Sequence, residues 1–326
     1  MMIAPTLPAE LKAALDGKLQ GFSRSDAAQR SQKISTTYRA GGGSGMIKSE
    51  ADALAYALAR MPATYAAVAA SLNALTAIAP DLAPETLLDV GAGPGTASWA
   101  AAEAFPSLQD FTLLDANATL SRLALELARD STRLAECRNL PGDAGGNLAE
   151  ASHADLVIAS YIIGELSEAD QRKLTEAMWA KARHALLVIE PGTPAGYARI
   201  LALRQQLIAQ GAYVAAPCPH EKPCPLTAPD WCHFSQRLPR SQAHRQIKGA
   251  EVPFEDERFI YVALTRTAPE SRAARVLALP DVGKAEITAK LCTGAGVALT
   301  KVPRRDKAAY ADARRWRWGD AIMSES

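Results

Sequence analysis

LLDVGAGPGTASWA, Leu87 to Ala100, is the stretch on which the reading of this chain turns. Its first residues are apolar enough for a buried strand, and its last are the small, helix-favouring residues of a packed helix. Gly91, Gly93 and Gly95 stand between them. Glycine lets a turn take positive φ and lets a ligand approach the backbone, and the helix that follows offers free N–H groups to an anion. A nicotinamide dinucleotide loop runs G-x-G-x-x-G. Here the spacing is G-x-G-x-G, Thr96 takes the place of that third glycine, and Asp89 lies two residues before the first.

Outward from this loop, strands and helices alternate. DFTLLDA, ADLVIASYIIGEL, HALLVIEPG and RFIYVALTR read as strands; TLSRLALELAR, SEADQRKLTEAMWAKAR and YARILALRQQLIAQG read as helices. Ser167 followed by Asp170 marks the start of the middle helix in capping-box style. Such alternation predicts an α/β fold, a largely parallel sheet covered by helices. Four regions follow: helical residues 1–85, a Rossmann-like domain over 86–212, a Cys-rich insertion over 213–258, and a small β-rich region with a basic closing helix over 259–326. Inside the first region, RSDAAQRSQKISTTYRAGGGSG reads as a polar connector carrying Arg24, Arg30, Lys33 and Arg39. It is either a solvated loop or one that orders on a phosphate-bearing partner.

A net charge of +1 makes the chain neither a polyanion binder as a whole nor a disordered acidic protein, so any nucleic-acid surface must be local. No apolar run approaches the ~18 residues that span a bilayer, and MMIAPTLPAELKAALDG lacks the basic and apolar blocks of a signal peptide. The expectation is a cytoplasmic protein with no membrane partner and reduced cysteines.

The glycine loop resembles motif I of the class I S-adenosylmethionine-dependent methyltransferases. That resemblance implies a loop holding the methionine part of the cofactor, with Asp89, Gly91, Gly93 and Gly95 as its residues. Asp115 ends the second strand 22 residues past Gly93, where a carboxylate accepts from both ribose hydroxyls; otherwise it is a helix N-cap. Asp143, in NLPGDA, is an adenine contact or a turn residue. Ser160-Tyr161 ends the fourth strand, at the edge where an acceptor would meet the methyl group. Methyl transfer from a sulfonium expels a neutral leaving group, so positioning supplies most of the catalysis. Glu165 is the one nearby candidate base, or else a surface acid leading a helix. No Asn-Pro-Pro-Tyr run and no cysteine in the SYIIGEL turn point to a particular acceptor.

Three of the five cysteines, Cys218, Cys224 and Cys232, gather in APCPHEKPCPLTAPDWCHFSQR with five prolines. A segment so rich in proline is neither helix nor central strand. The spacing is C-x5-C-x7-C, and Cys292 follows after 59 residues. Zinc fingers and ribbons favour closer pairs, whereas iron–sulfur clusters accept irregular loop spacing. A metal site, cluster or zinc, is the expectation, with His220 or His233 able to replace a thiolate in a zinc version. Cys137, in AECRNLPG, reads as a packing residue.

The run CPHEKPCPL…DWCHFSQR resembles the small-ribosomal-subunit-associated methyltransferase-like family. The likeness extends to ARMPATYAAV (residues 59–68), LLDVGAGPGTASWA, IEPGTPAG and KVPRRDKAAYADARRWRWGD, most of the chain beyond residue 30. It implies a methyltransferase-like fold, S-adenosylmethionine binding, and a 4Fe–4S cluster on Cys218, Cys224, Cys232 and Cys292. It also implies a ribosome-associated role in assembling the small subunit through its rRNA, without DNA. Two basic segments agree. Between His233 and Ala250 lie Arg237, Arg240, Arg245 and Lys248 and no acid; from Lys301 to Trp318 seven basic residues, Arg304, Arg305, Arg314 and Arg315 among them, meet two acidic ones. Arginine interleaved with Tyr310, Trp316 and Trp318 suits phosphate contact and base stacking; the plainer reading is a helix whose tryptophans pack on the domain. The expected function is a cofactor-binding assembly factor, the alternative an active rRNA methyltransferase.

Overall fold

Thr86–Val90 (β1) places four successive residues out of solvent, as a strand does when both its faces are covered. In this computed structural model, which describes residues 2–20, 22–39, 42–142, 145–240, 244–245 and 251–322, β1 is the centre of an eight-stranded sheet. Asp110–Asp115 (β2) and Ala154–Ser160 (β4) flank it in parallel, Leu88 facing Thr112 on one side and Val157 on the other. Arg138–Pro141 (β3) and Ala182–Pro191 (β5) extend the parallel set. Phe254–Thr265 (β8) then runs antiparallel beside β5, and Tyr213–Ala216 (β6) and Phe234–Pro239 (β7) pair antiparallel to β8. The order is β3-β2-β1-β4-β5-β8-β6, with β7 also on β8. This is an α/β, Rossmann-like order, the architecture that the resemblance to the class I methyltransferases implies. Its topological switch lies between β1 and β4, where open α/β sheets bind ligands.

The sheet's helices are Thr96–Ala104 (α4), Ala118–Ala128 (α5), Glu168–Lys181 (α6) and Pro194–Ala209 (α7). Ser167 caps α6 by accepting from the Asp170 N–H. Ahead of them come Ala9–Lys18 (α1), Arg24–Arg39 (α2) and Glu50–Ile78 (α3). The polar connector is therefore a helix, not a loop. Ala27, Ser31 and Ile34, spaced by four and three, are buried, and α2 packs along α3. So narrow a stripe suffices when the neighbouring helix supplies most of the core.

A second correction concerns α3. It is long and apolar enough to cross a membrane by length and composition, although most of its apolar window is buried in the protein. It packs on α4 and β8, and a true capping box starts it, Ser49 accepting from Asp52 N while the Asp52 carboxylate accepts from Ser49 N.

β6 and β7 lie end to end along one edge of β8. Ala216 faces Ala263, and Phe234 faces Phe259. The cysteine segment is thus an excursion that leaves the edge and returns to it opposite residues 260–262, which brings its two ends together. Beyond the sheet, Ala274–Val276 (β9), Asp281–Val282 (β10), Glu286–Thr293 (β11), Gly296–Pro303 (β12) and Ala321–Ile322 (β13) form a five-stranded sheet. Lys307–Ala313 (α8) packs on β11 and β12.

Candidate functional site

A cleft of about 590 Å³ opens at the C-terminal ends of β1, β2 and β4, roofed by α3. Gly91 and Gly93 form its floor with φ of 68° and 54°. The Gly91 and Ala92 N–H groups donate to Leu114 O at 2.8 and 3.1 Å, tying the loop to β2. A Cβ on Gly91 would lie 2.3 Å from Ile162 Cδ1, whereas one on Gly93 would meet nothing within 4 Å. Gly93 therefore faces the open cleft. Gly95, φ 81°, is the left-handed N-cap of α4 and sits behind it.

Asp115 lines the cleft. Its Oδ2 accepts from Gly93 N and its Oδ1 from Asn117 N, both at 2.7 Å. The N-cap of α5 is Asn117, which accepts from Thr119 and Leu120 N–H, so the capping alternative for Asp115 does not hold. Burial raises the Asp115 pKa, opposed by the two N–H donors. Ser160 lines the cleft as well; Asp143 lies outside the described residues.

Asp89 is wholly buried and does not line the cleft. Its Oδ2 accepts from Ser98 N at 3.0 Å and Ser98 Oγ at 2.8 Å, fastening the loop to α4, while Oδ1 has no partner among the described residues. Burial pushes its pKa up to about 7 against the pull of the Ser98 donors, and the Asp115 charge adds to the rise. A folded pKa above the unfolded one contributes stability in full below the ordinary aspartate range and loses it as pH rises through 7. At about 1.4 kcal/mol per pKa unit, wild type should lose roughly 2–4 kcal/mol between pH 4 and 8 from this residue. Asp89→Asn should flatten that slope in urea melts across the same range; equal slopes would refute the assignment.

Where an acceptor would sit, a network links three distant segments. Tyr161, held at φ 62°, donates its hydroxyl to Glu257 Oε1 at 2.9 Å, and Arg60 lies 3.6 Å from the same oxygen. Below it, the buried Glu190 accepts from Ile163 N at 3.1 Å and Arg199 Nε at 2.7 Å, fixing the turn after β4. Tyr161 ends the strand at the acceptor edge marked in the sequence, and Arg60 and Glu190 lie in ARMPATYAAV and IEPGTPAG; the sequence carries no signal for Glu257 or for the meeting of these residues. Glu165 is exposed at the cleft mouth and accepts from Ser44 N at 3.3 Å.

On the far side of β8, Cys218, Cys224, Cys232 and Cys292 line one cavity with Tyr197, Tyr261, Arg204 and Arg275. Tyr197 donates to Cys224 Sγ at 3.2 Å, and His220 Nε2 lies 3.9 Å from Cys292 Sγ. Burial first, then the neighbouring cysteines, drives the Cys232 thiol well up and pushes Cys292 up to about 12. Burial raises Cys218 too, against Arg204 and Arg275. Among the described residues no group of three or more His, Cys, Asp or Glu side chains is arranged to hold a metal ion. The four thiols share a void without being drawn onto one point. Arg204 Nε, buried beside this loop, has no hydrogen-bond partner among the described residues. Four sulfurs on one cavity with two buried arginines, Arg204 and Arg275, are a donor set that fits an anionic sulfur-ligated centre. Cys137 is half-buried in the main core, apart from this group.

The basic segments divide. Arg237 is bound bidentately by Asp256, both contacts at 2.8 Å, and Arg240 pairs with Glu255. The acid-free stretch is thus partly neutralised by the strand beside it. Arg245 is half-buried, and Lys248 lies outside the described residues. Arg304, Arg305, Arg314 and Arg315 are exposed, Arg315 in a pair with Asp312 at 3.0 Å. The tail aromatics follow the plainer reading. Trp318 packs on the main core and edge-on to His233 at 4.4 Å, while Trp316 packs on the small sheet and donates to Asp312.

Among proteins of known name, the chain is similar to the mitochondrial ribosome assembly protein METTL17 of Homo sapiens, 29% identical over 295 residues, 82% of this chain and 62% of that protein. It is also similar to Rsm22-cox11 tandem protein 2, mitochondrial, of Schizosaccharomyces pombe, 24% identical over 83% of this chain and 43% of that protein. The chain thus spans less than two thirds of either relative. Magnesium protoporphyrin IX methyltransferase of Synechocystis superposes with a TM-score of 0.41 at 13% identity, covering 71% of this chain and 90% of that one. An O-methyltransferase family protein of Burkholderia thailandensis superposes with a TM-score of 0.44 at 13% identity, covering 68% and 61%. Superpositions this loose add nothing to the topology already described. The profile of the family described as mitochondrial small ribosomal subunit Rsm22 matches residues 50–323, and the chain belongs to that family.

Proposed function

We propose that the protein is a methyltransferase-like factor of small-ribosomal-subunit assembly that binds S-adenosylmethionine, carries a 4Fe–4S cluster and contacts rRNA. The observation that carries this reading is the meeting of four cysteines, spread from residue 218 to residue 292, on one cavity in a chain of this family. Cys218, Cys224, Cys232 and Cys292 would hold the cluster, which supplies a covalent tie between the proline-rich loop and the small sheet. Sulfurs that share a void rather than a point favour a cluster over a single zinc ion, whose ligands lie about 2.3 Å from one centre. In the cleft, the Gly93 face leaves room for the cofactor's methionine part, and Asp115 would accept from its ribose. Asp89 and Gly95 act from behind, by holding the loop. The named relatives are mitochondrial, so the cytoplasmic expectation is not carried forward.

The second reading, an rRNA methyltransferase, is favoured by the open cleft that reaches Ser160 and Glu165. Glu165 is exposed at its rim, however, and Tyr161 is committed to Glu257. The assembly role should therefore survive loss of methyl transfer. In a deletion strain, Asp115→Ala should restore small-subunit maturation better than Cys218→Ser. Arg305→Glu with Arg314→Glu should weaken rRNA binding roughly tenfold or more and lower the salt slope by about two, one per phosphate contact. A methyl mark on small-subunit rRNA that wild type restores, Asp115→Ala does not, and purified protein installs would establish the enzyme instead.

A further inference from the structure

Arg204, on α7, and Arg275, on β9, are 3% and 4% exposed, and both line the four-cysteine cavity. Burying a guanidinium costs several kcal/mol unless an anion compensates it, on the order that burial of any ion commands. Other arginines nearby have their anion: Arg199 pairs with Glu190 and Arg272 with Glu221. Among the described residues no salt bridge joins Arg204 or Arg275 to a carboxylate. Their partners are backbone carbonyls of the cysteine loop and the tail. Arg204 donates to His220 O and Lys222 O, and Arg275 donates to Pro217 O at 3.2 Å and Gly319 O at 2.9 Å. Carbonyls satisfy donors but do not neutralise charge, and Arg204 Nε has no partner among the described residues. Among the described residues, the other polar side chains that line this void are the four cysteines and two tyrosines, and a set of metal-bound thiolates is the anion this chemistry can supply.

We propose that Arg204 and Arg275 are the counter-charges of the four-cysteine centre: two buried cations, one from the α/β domain and one from the small sheet, that offset its negative charge and set its reduction potential. The inference rests on the iron–sulfur reading. It gives these two residues a role distinct from ligation, since net charge and hydrogen bonding around a cluster tune its potential. A lost positive charge disfavours the reduced, more negative state, so the midpoint must fall.

The test is a mediator-buffered redox titration, followed by electron paramagnetic resonance, on anaerobically purified full-length protein, with iron and acid-labile sulfide measured on each sample. Arg204→Lys, which keeps the charge, should hold wild-type iron and titrate near the wild-type midpoint. Arg204→Gln, which keeps a donor for His220 O but not the charge, should hold iron and titrate at a clearly more negative midpoint. Arg275→Lys repeats the charge-keeping control from the other sheet. If the glutamine variant loses its cluster while the lysine variant retains it, the need for charge is again supported. A loaded Arg204→Gln that titrates at the wild-type midpoint overturns the inference and leaves the cluster standing. Loss of iron from both Arg204→Lys and Arg204→Gln overturns it also, because the role is then structural. Wild type without iron and sulfide removes the cluster and, with it, the counter-charge.

Discussion

Cys292→Ser should strip the protein of iron and sulfide, a fall of tenfold or more, although 59 residues separate it from the last cysteine of the loop. In the fold the distance vanishes. β11 carries Cys292 to the cavity where Cys218, Cys224 and Cys232 meet, and Arg275 beside it on β9, its register partner, hydrogen-bonds the loop at Pro217. A serine hydroxyl is a poor ligand for a soft metal centre, and three cysteines on a loop with so little regular structure cannot hold the geometry alone. Cys137→Ser is the control, since that residue packs in the main core; it should keep full iron. The measurement is metal and acid-labile sulfide analysis after anaerobic purification. Stoichiometric zinc without sulfide in wild type would sink the iron–sulfur reading while keeping the four ligands.

Gly93→Arg should abolish the stabilisation of the protein by S-adenosylmethionine. A ligand that binds only the folded state at a hundred times its Kd adds about 2.7 kcal/mol, a rise of several degrees in Tm for a chain of this size. Gly93 is the loop residue whose missing Cβ opens onto the cleft, so an arginine there occupies the ligand's space. Its φ of 54° adds a backbone cost of about 1–2 kcal/mol for any non-glycine residue. Gly93→Ala pays that cost without filling the cleft, and should keep part of the ligand-induced rise. A rise with NADH and none with S-adenosylmethionine would overturn the reading of the loop.

The glycine loop and the sheet could be read in advance because their signals are local. Leu87, Leu88 and Val90 demand burial on both faces, and three glycines in five residues mark backbone that other residues resist. The four cysteines could be grouped because so few exist. α2 escaped because Ala27, Ser31 and Ile34 form a stripe three residues wide in an otherwise polar stretch. β3 has only four residues, and β7 follows directly on the proline-rich segment, in a stretch whose prolines argue against regular structure. Charge misled for a different reason. Arg237 and Arg240 stand in an acid-free window of sequence, but pairing of β7 with β8 sets Asp256 and Glu255 against them. Arg60, Tyr161 and Glu257 come from three separate segments, and nothing short of the tertiary fold unites them.

The place of β8 in the sheet sets the order in which the chain can be completed during its synthesis. β6 precedes β8 in sequence, yet among the described residues its one neighbour in the sheet is β8, which also separates it from β5. When β6 emerges at residues 213–216 its partner has not been made. The five parallel strands can assemble from the chain already present, domains folding from the N-terminal side as they appear, while the cysteine loop hangs from an unpaired strand. Only after Thr265 is made does β8 dock against β5, draw β6 and β7 onto its outer edge and close the ends of the loop. Cys292 arrives later still. The four-cysteine cavity is therefore completed late in each molecule, and a ribosome paused before residue 292 would expose a nascent protein with a finished glycine-loop cleft and an unfinished cysteine cavity.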